Sequence, residues 1–261
     1  MSEVSETSDI RTVVREKYGA IAEGKSAGCG CGSACGDGVL TEIGYSQEQS
    51  AAIPEGANLG LGCGNPIALS DVAPGETVLD LGSGAGIDCF LAAREVGPQG
   101  RVIGVDMTPA MIERARANAK KGAYANVEFR LGEIEHLPVA DASVDLIVSN
   151  CVINLSPDKP QVFGEAFRVL KPGGRLLVSD LVLLRPLAPE QQKSVDLYVG
   201  CVAGASLRED YLRMMREAGF RDVEVVSESS YSVGAESLTD GSTERDAFGA
   251  VTSVKVRARK E

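Results

Sequence analysis

From Pro74 onward the chain alternates short apolar runs with stretches in which apolar residues recur every three or four positions, the periods of strands and amphipathic helices respectively. The pattern predicts strands over 77–81, 101–105, 126–131, 144–149 and 175–179. It predicts helices over 87–96, 108–121 and 161–170, the last stopped by Lys171-Pro172-Gly173-Gly174. Thr108 and Pro109 read as a hydroxyl cap and a first-turn proline, and Ser206 with Glu209 reads as a capping box opening a helix to Gly219. Two closing strands follow, 223–226 and 251–258, the second alternating Val254, Val256 and Ala258 against Lys255 and Arg257. Strands alternating with helices imply a parallel sheet covered on both faces by right-handed crossovers. The expected fold is therefore α/β, a doubly wound, mostly parallel, seven-stranded Rossmann-like sheet.

Upstream, apolar residues at 10, 13, 14, 18 and 21 predict one short helix. The run Gly28 to Gly38, with Cys29, Cys31 and Cys35 between glycines, reads as a mobile thiol-bearing loop. Three regions are expected: an N-terminal helix and Cys-rich segment over 1–70, a core over 71–182, and lid helices with closing strands over 183–261.

The composition narrows the partners. Lys and Arg number 26 against 37 Asp and Glu, a formal charge of −11, which repels phosphate backbones and anionic membranes. No apolar run reaches the length of a membrane span, and the polar start Met1-Ser2-Glu3 lacks the features of a secretory signal. The expectation is a cytoplasmic monomer that binds neither nucleic acid nor membrane. Seven cysteines in a reducing compartment persist as thiols available for metal, metalloid or redox work. With a single histidine, His136, any acid–base relay rests on that one imidazole or on carboxylates, and His136 reads as a surface or supporting residue rather than a base.

Ligands of open α/β sheets sit beyond the carboxyl ends of the strands, where the strand order reverses. The first turn, Gly82-Ser83-Gly84-Ala85-Gly86, misses the G-x-G-x-x-G spacing of a pyrophosphate site. Asp106, at the end of the second strand, is placed to accept hydrogen bonds from ribose hydroxyls. A nucleoside without phosphates fits both features.

The string Val78 to Gly86, with Val105-Asp106-Met107 and Leu170 to Gly174, resembles the class I S-adenosylmethionine-dependent methyltransferases over residues 74–182. That resemblance implies S-adenosyl-L-methionine as cofactor. Asp80, Gly82, Ser83, Gly84, Gly86 and Asn150 would surround its methionine moiety, and Asp106 its ribose. Met107, Gly132, Glu133, Ile134 and Glu135 would edge its adenine.

The acceptor must be read from groups beside the fourth strand. Cys151 follows that strand directly, and Cys63 and Cys201 sit on glycine-flanked turns, which read as exposed, because glycines offer a thiol little to pack against. Cys89, inside the first core helix, reads as a core thiol. Soft thiolates select thiophilic centres, and no C-x-x-C pair supports a common zinc site.

The segments Ile53 to Pro66, Ser149-Asn150-Cys151-Val152-Ile153-Asn154-Leu155 and Gly200-Cys201 resemble the bacterial and archaeal arsenite methyltransferases. The resemblance implies methylation of arsenite, or its glutathione conjugate, to mono- and dimethylated arsenicals, a detoxification. Cys151 and Cys201 would hold trivalent arsenic, with Cys63 a third essential cysteine. The family's fourth cysteine lies upstream; Cys35 is taken for it, although spacing does not rank Cys29, Cys31 and Cys35, and the loop also reads as a redox-sensitive tail. The resemblance further implies that Cys63 forms a disulfide with that loop during turnover, reset by glutathione or thioredoxin. Asn154 reads as loop packing. Two other readings compete: a C- or O-methyltransferase of quinone or sterol type, and a non-enzymatic thiol-rich metalloid-binding protein.

Overall fold

The computed structural model describes residues 7–26, 40–41, 43–231 and 242–261. Cys29, Cys31 and Cys35, and with them the loop reading, lie outside the described residues. Helix α1 (Thr7–Ala22) and α2 (Gln47–Ala52) precede the core. Then follow β1 (Thr77–Leu81), α3 (Ile87–Val96), β2 (Arg101–Asp106), α4 (Pro109–Lys121), β3 (Val127–Leu131), β4 (Val144–Asn150), α5 (Lys159–Val169) and β5 (Leu170–Leu183). Short helices α6 (Pro189–Gln192) and α7 (Val195–Val199), α8 (Arg208–Glu217), β6 (Arg221–Ser230), α9 (Thr243–Phe248) and β7 (Val251–Arg259) complete the order.

The strands form one seven-stranded sheet in the order β3-β2-β1-β4-β5-β7-β6. Strands β1 to β5 pair in parallel, and β7 runs antiparallel to both its neighbours. The chain moves outward from β1 to β3 and then returns to β4, so the strand order reverses between β1 and β4. That gap is where such a sheet opens a ligand crevice.

Alternation along each strand sorts its side chains onto two faces. Leu79, Leu81, Ile103, Val105, Ile147 and Val178 pack with Phe163 of α5 and Tyr211 and Met215 of α8. Val78, Val102, Leu146 and Val148 pack with Phe90 of α3 and Ile112 and Ala115 of α4. A third cluster joins Val14 of α1 to Leu155, Leu181, Leu183, Leu197 and Cys201, which roofs the crevice with segments from both ends of the chain.

Two caps differ from expectation. Ser206 does not cap α8: its carbonyl accepts from Leu183 N at 2.8 Å, and Leu207 makes a parallel bridge with Leu183. This sheet-like pairing holds Ser206 one residue outside the helix's first cap position, Leu207. Thr108 precedes α4, but its hydroxyl makes no cap; its amide donates to Asp106 Oδ1 at 2.8 Å instead. Pro109 does occupy the first turn.

Candidate active site

Backbone bonds shape the turn after β1. The amides of Gly82 and Ser83 both donate to Val105 O, at 2.8 and 3.0 Å, which ties the turn to the end of β2. The Gly84 amide donates to Asp106 Oδ2 at 3.0 Å. All three glycines have positive φ, for different reasons. A Cβ on Gly82 would overlap Val152, and one on Gly86 would press within 2.8 Å of the Phe90 and Phe129 rings. A Cβ on Gly84 would meet nothing within 4 Å, because Gly84 faces the cleft.

One cleft lies beyond the carboxyl ends of β1, β2 and β4, lined by the glycine turn, the end of β2, helix α1 and the segment after β4. Of the residues expected to hold the cofactor, Gly82, Ser83, Gly84, Asp106, Met107, Gly132, Ile134, Glu135 and Asn150 line it. Three do not. Asp80 is buried and accepts the Cys89 thiol at 3.2 Å; Gly86 serves the packing of α3; and Glu133 turns outward to pair with Arg15 of α1.

Helix α1 closes the cleft over its Gly132 to Glu135 side. Arg11 donates to Glu135 Oε1 at 3.0 Å, where Ser156 Oγ also donates at 2.6 Å, and Tyr18 OH reaches Val199 O at 3.2 Å. At the opposite wall Asn150 clamps the upstream segment. Its Nδ2 donates to Gly64 O at 2.7 Å and Tyr45 OH at 3.0 Å, while Oδ1 accepts from Cys63 N at 3.1 Å. Tyr45 OH donates in turn to Asp88 Oδ1 at 2.8 Å.

Three cysteines meet at the floor of this wall, two through their sulfurs and the third through a hydrogen bond to a backbone carbonyl. Cys63 is disulfide-bonded to Cys151; the turnover pairing of Cys63 with the 29–35 loop that the resemblance implied falls on residues outside the described ones. Cys201 Sγ donates to the Cys151 carbonyl at 2.9 Å. Cys151 lines the cleft, whereas Cys63 and Cys201 are 5% and 4% exposed, so their glycine neighbours do not leave them open to solvent. The glycines permit closer packing: a Cβ on Gly64 would overlap Ser179 Oγ, and one on Gly204 would overlap Asn154 O. Cys151 and Cys201 both adopt positive φ, 57° and 64°, a conformation that L residues hold only where surrounding structure enforces it.

Beside the disulfide lies a carboxylate absent from the expected site. An oxygen of Asp180 and the sulfurs of Cys63 and Cys151 all fall within 4.8 Å of one another. Asn154 is more than packing, because its Nδ2 donates to Asp180 Oδ1 at 2.8 Å and to Leu181 O at 2.7 Å. Tyr45, Asp88, Arg11 and Lys159 also escaped the sequence reading. Asp180 left a readable signal, a charge interrupting the buried run Leu176 to Leu183; Tyr45 left none, since its partners are distant in sequence.

Burial raises the buried acids. It pushes Asp180 up to about 7 and Asp88 up to about 6, despite opposing hydrogen bonds. Asp80 rises well above the carboxylate range through burial and the neighbouring Asp88 charge. An acid whose pKa is raised on folding adds stability fully present below its unfolded value, about 4, and lost as pH climbs through the folded one. Stability therefore falls between pH 5.5 and 8, by at most about 1.4 kcal/mol per pH unit for each proton the folded state holds in excess. At lower pH, Glu165, held down by Arg168, reverses the trend. Urea midpoints at pH 5.5 and 8 check this, and a higher midpoint at pH 8 contradicts it.

Comparison with known proteins bears on what this arrangement serves. Residues 73–219 match a family model described as a methyltransferase domain. The chain is 48% identical, over 97% of its length, to the arsenite methyltransferase of Halobacterium salinarum. This chain belongs to the arsenite methyltransferase family. An arsenite methyltransferase of Aquipseudomonas alcaligenes is 46% identical over 64% of the chain. The crystal structure of an arsenic(III) S-adenosylmethionine methyltransferase from Chlamydomonas reinhardtii superposes with a TM-score of 0.65, at 36% identity, covering 85% of this chain and 72% of that one. The chain spans 67% of the Halobacterium arsenite methyltransferase and 50% of the Aquipseudomonas one. Among the described residues, no helix is long and apolar enough to cross a membrane.

Proposed function

We propose that this chain methylates trivalent arsenic held on its own cysteine sulfurs, using S-adenosylmethionine. One observation carries the reading: Cys63, Cys151 and Cys201, from three separate segments, converge at the wall of a glycine-turned cleft. The cleft fits the cofactor. Ser83 Oγ is buried with no hydrogen-bond partner, Gly84 leaves open space, and each Asp106 oxygen accepts one backbone amide, which leaves a lone pair on each for a ribose hydroxyl. Bound there, S-adenosylmethionine supplies an electrophilic methyl group on a sulfonium.

The chain's task is to present the nucleophile. Arsenic(III) keeps a lone pair and has no proton to lose, so attack needs orientation more than a base. The Cys63–Cys151 disulfide is first reduced by an external thiol such as glutathione or thioredoxin, two electrons and two protons giving two thiols. Thiolates of Cys63, Cys151 and Cys201 then displace hydroxide or glutathione from arsenic and fix it at the cleft wall. After transfer, arsenic is formally pentavalent. Two of its thiolates, those of Cys63 and Cys151, leave together as a disulfide, two electrons passing to arsenic and returning it to the trivalent state, while water or an external thiol takes the open position on arsenic and releases a proton. A cytoplasmic, reducing setting and one or two methylations per arsenic complete the reading.

The test incubates the protein with S-adenosylmethionine, glutathione and arsenite and resolves arsenic species by chromatography with elemental detection. Mono- and dimethylated arsenic are expected. Their absence from folded, reduced, cofactor-binding protein sinks the proposal. A quinone-type methyltransferase with incidental cysteines would instead leave turnover of its own acceptor intact after cysteine replacement.

A further inference from the structure

Asp180 stands at the sulfur site and takes no part in lining the cofactor cleft. It is wholly buried at the end of the β4–β5 pairing, with an oxygen within 4.8 Å of both Cys63 Sγ and Cys151 Sγ. Three donors hold it rigidly. Asn154 Nδ2 and Leu181 N reach Oδ1 at 2.8 and 3.0 Å, and Tyr211 OH reaches Oδ2 at 3.1 Å. The cation facing it, Lys159, donates to the Ser156 carbonyl at 3.3 Å and makes no direct ion pair with Asp180, although its charge favours the ionised carboxylate. Burial raises Asp180 to about 7 even against these donors, so near neutral pH it is only about half ionised, and a carboxylate so placed costs stability that apolar side chains filling the same space would not.

The compensation lies in the reaction, on the reading that arsenic is methylated while bound to these cysteines. Arsenic held by three thiolates is neutral. Its lone pair forms the arsenic–carbon bond while the pair of the breaking sulfur–carbon bond goes to the cofactor sulfur. The sulfonium becomes a neutral thioether, and the unit positive charge arrives on a methylarsenic(V) trithiolate. We infer that Asp180 is the fixed anion that stabilises this arriving charge, placed beside the sulfurs that bear the arsenic and outside the cofactor cleft. Such preorganised charge acts where it develops and needs no rearrangement during transfer.

Asp180→Asn keeps the shape and removes the charge. In single-turnover experiments, with arsenite preloaded on reduced enzyme and S-adenosylmethionine added, methyl transfer is expected to slow about 100-fold. Affinities for arsenite and for S-adenosylmethionine stay within about twofold, because neither bound ground state places new positive charge on arsenic. A second readout uses no turnover. Cys151 of the reduced protein is modified with a cationic and an anionic methanethiosulfonate at high salt, which screens surface charge, and its peptide is quantified by mass spectrometry. The cationic reagent wins in the wild type, and Asp180→Asn lowers that preference about tenfold.

Equal single-turnover rates, or no cationic preference at Cys151 in the wild type, overturn the inference. Lost arsenite binding in a folded Asp180→Asn protein also overturns it, by assigning the residue to site assembly. Wild type that binds cofactor and arsenite yet makes no methylated arsenic defeats the wider proposal instead.

Discussion

Cys151→Ser should reduce arsenite methylation by at least about 1,000-fold while leaving the fold and S-adenosylmethionine affinity nearly unchanged. Cys151 is the sulfur that opens onto the cleft, so its loss removes the ligand between the arsenic and the methyl donor. A serine hydroxyl is a harder and far less acidic ligand than a thiol, and soft centres discriminate against it. The same change abolishes the disulfide with Cys63, and with it the two-electron return of arsenic to the trivalent state. Cofactor affinity measured by calorimetry separates the outcomes: lost binding means the site collapsed, and retained turnover means the sulfur is dispensable. Cys89→Ser is the matching control, since that thiol is spent on Asp80.

The second large effect lies in the glycine turn, where two neighbouring glycines should fail in different ways. A side chain at Gly82 takes on a φ of 67° and overlaps Val152. The strained backbone costs about 1–2 kcal/mol and the overlap another 1–3 kcal/mol. Gly82→Val should therefore lower the melting temperature by about 4–10 °C and displace Val152, the residue after the cleft sulfur. Gly84→Ala has open space around its Cβ, so the fold bears only the backbone term, and the methyl occupies volume the cofactor needs. Melting reads the first and cofactor titration the second. A Gly84→Ala protein with wild-type cofactor affinity would show that the turn does not approach the ligand.

The first half of the sheet was legible because β1 to β4 are short and mostly apolar and α3 and α4 end at glycine. Val78 to Gly86 announces a strand, a turn and a helix with no distant information. The same holds for Asp106, whose position at a strand end places it on the wall of the cleft. What stayed hidden depends on contacts across the chain. Ser206 carries the local signature of a cap, but the bridge between Leu183 and Leu207 overrides it. Glycines around Cys63 and Cys201 argued for exposure by local reasoning, yet they let Ser179 and Asn154 approach closely enough to bury both sulfurs. Pairing among cysteines is a question of three-dimensional proximity, so the partnership of Cys63 with Cys151 could not be read from spacing.

That crosslink spans 88 residues of sequence, and closing so long a ring restricts the denatured chain by an amount on the order of 2–4 kcal/mol. On the proposed cycle, reduction forfeits this restraint until bound arsenic re-ties the segments, so the reduced, empty protein would be the least heat-resistant state and captured arsenic would serve as a temporary staple.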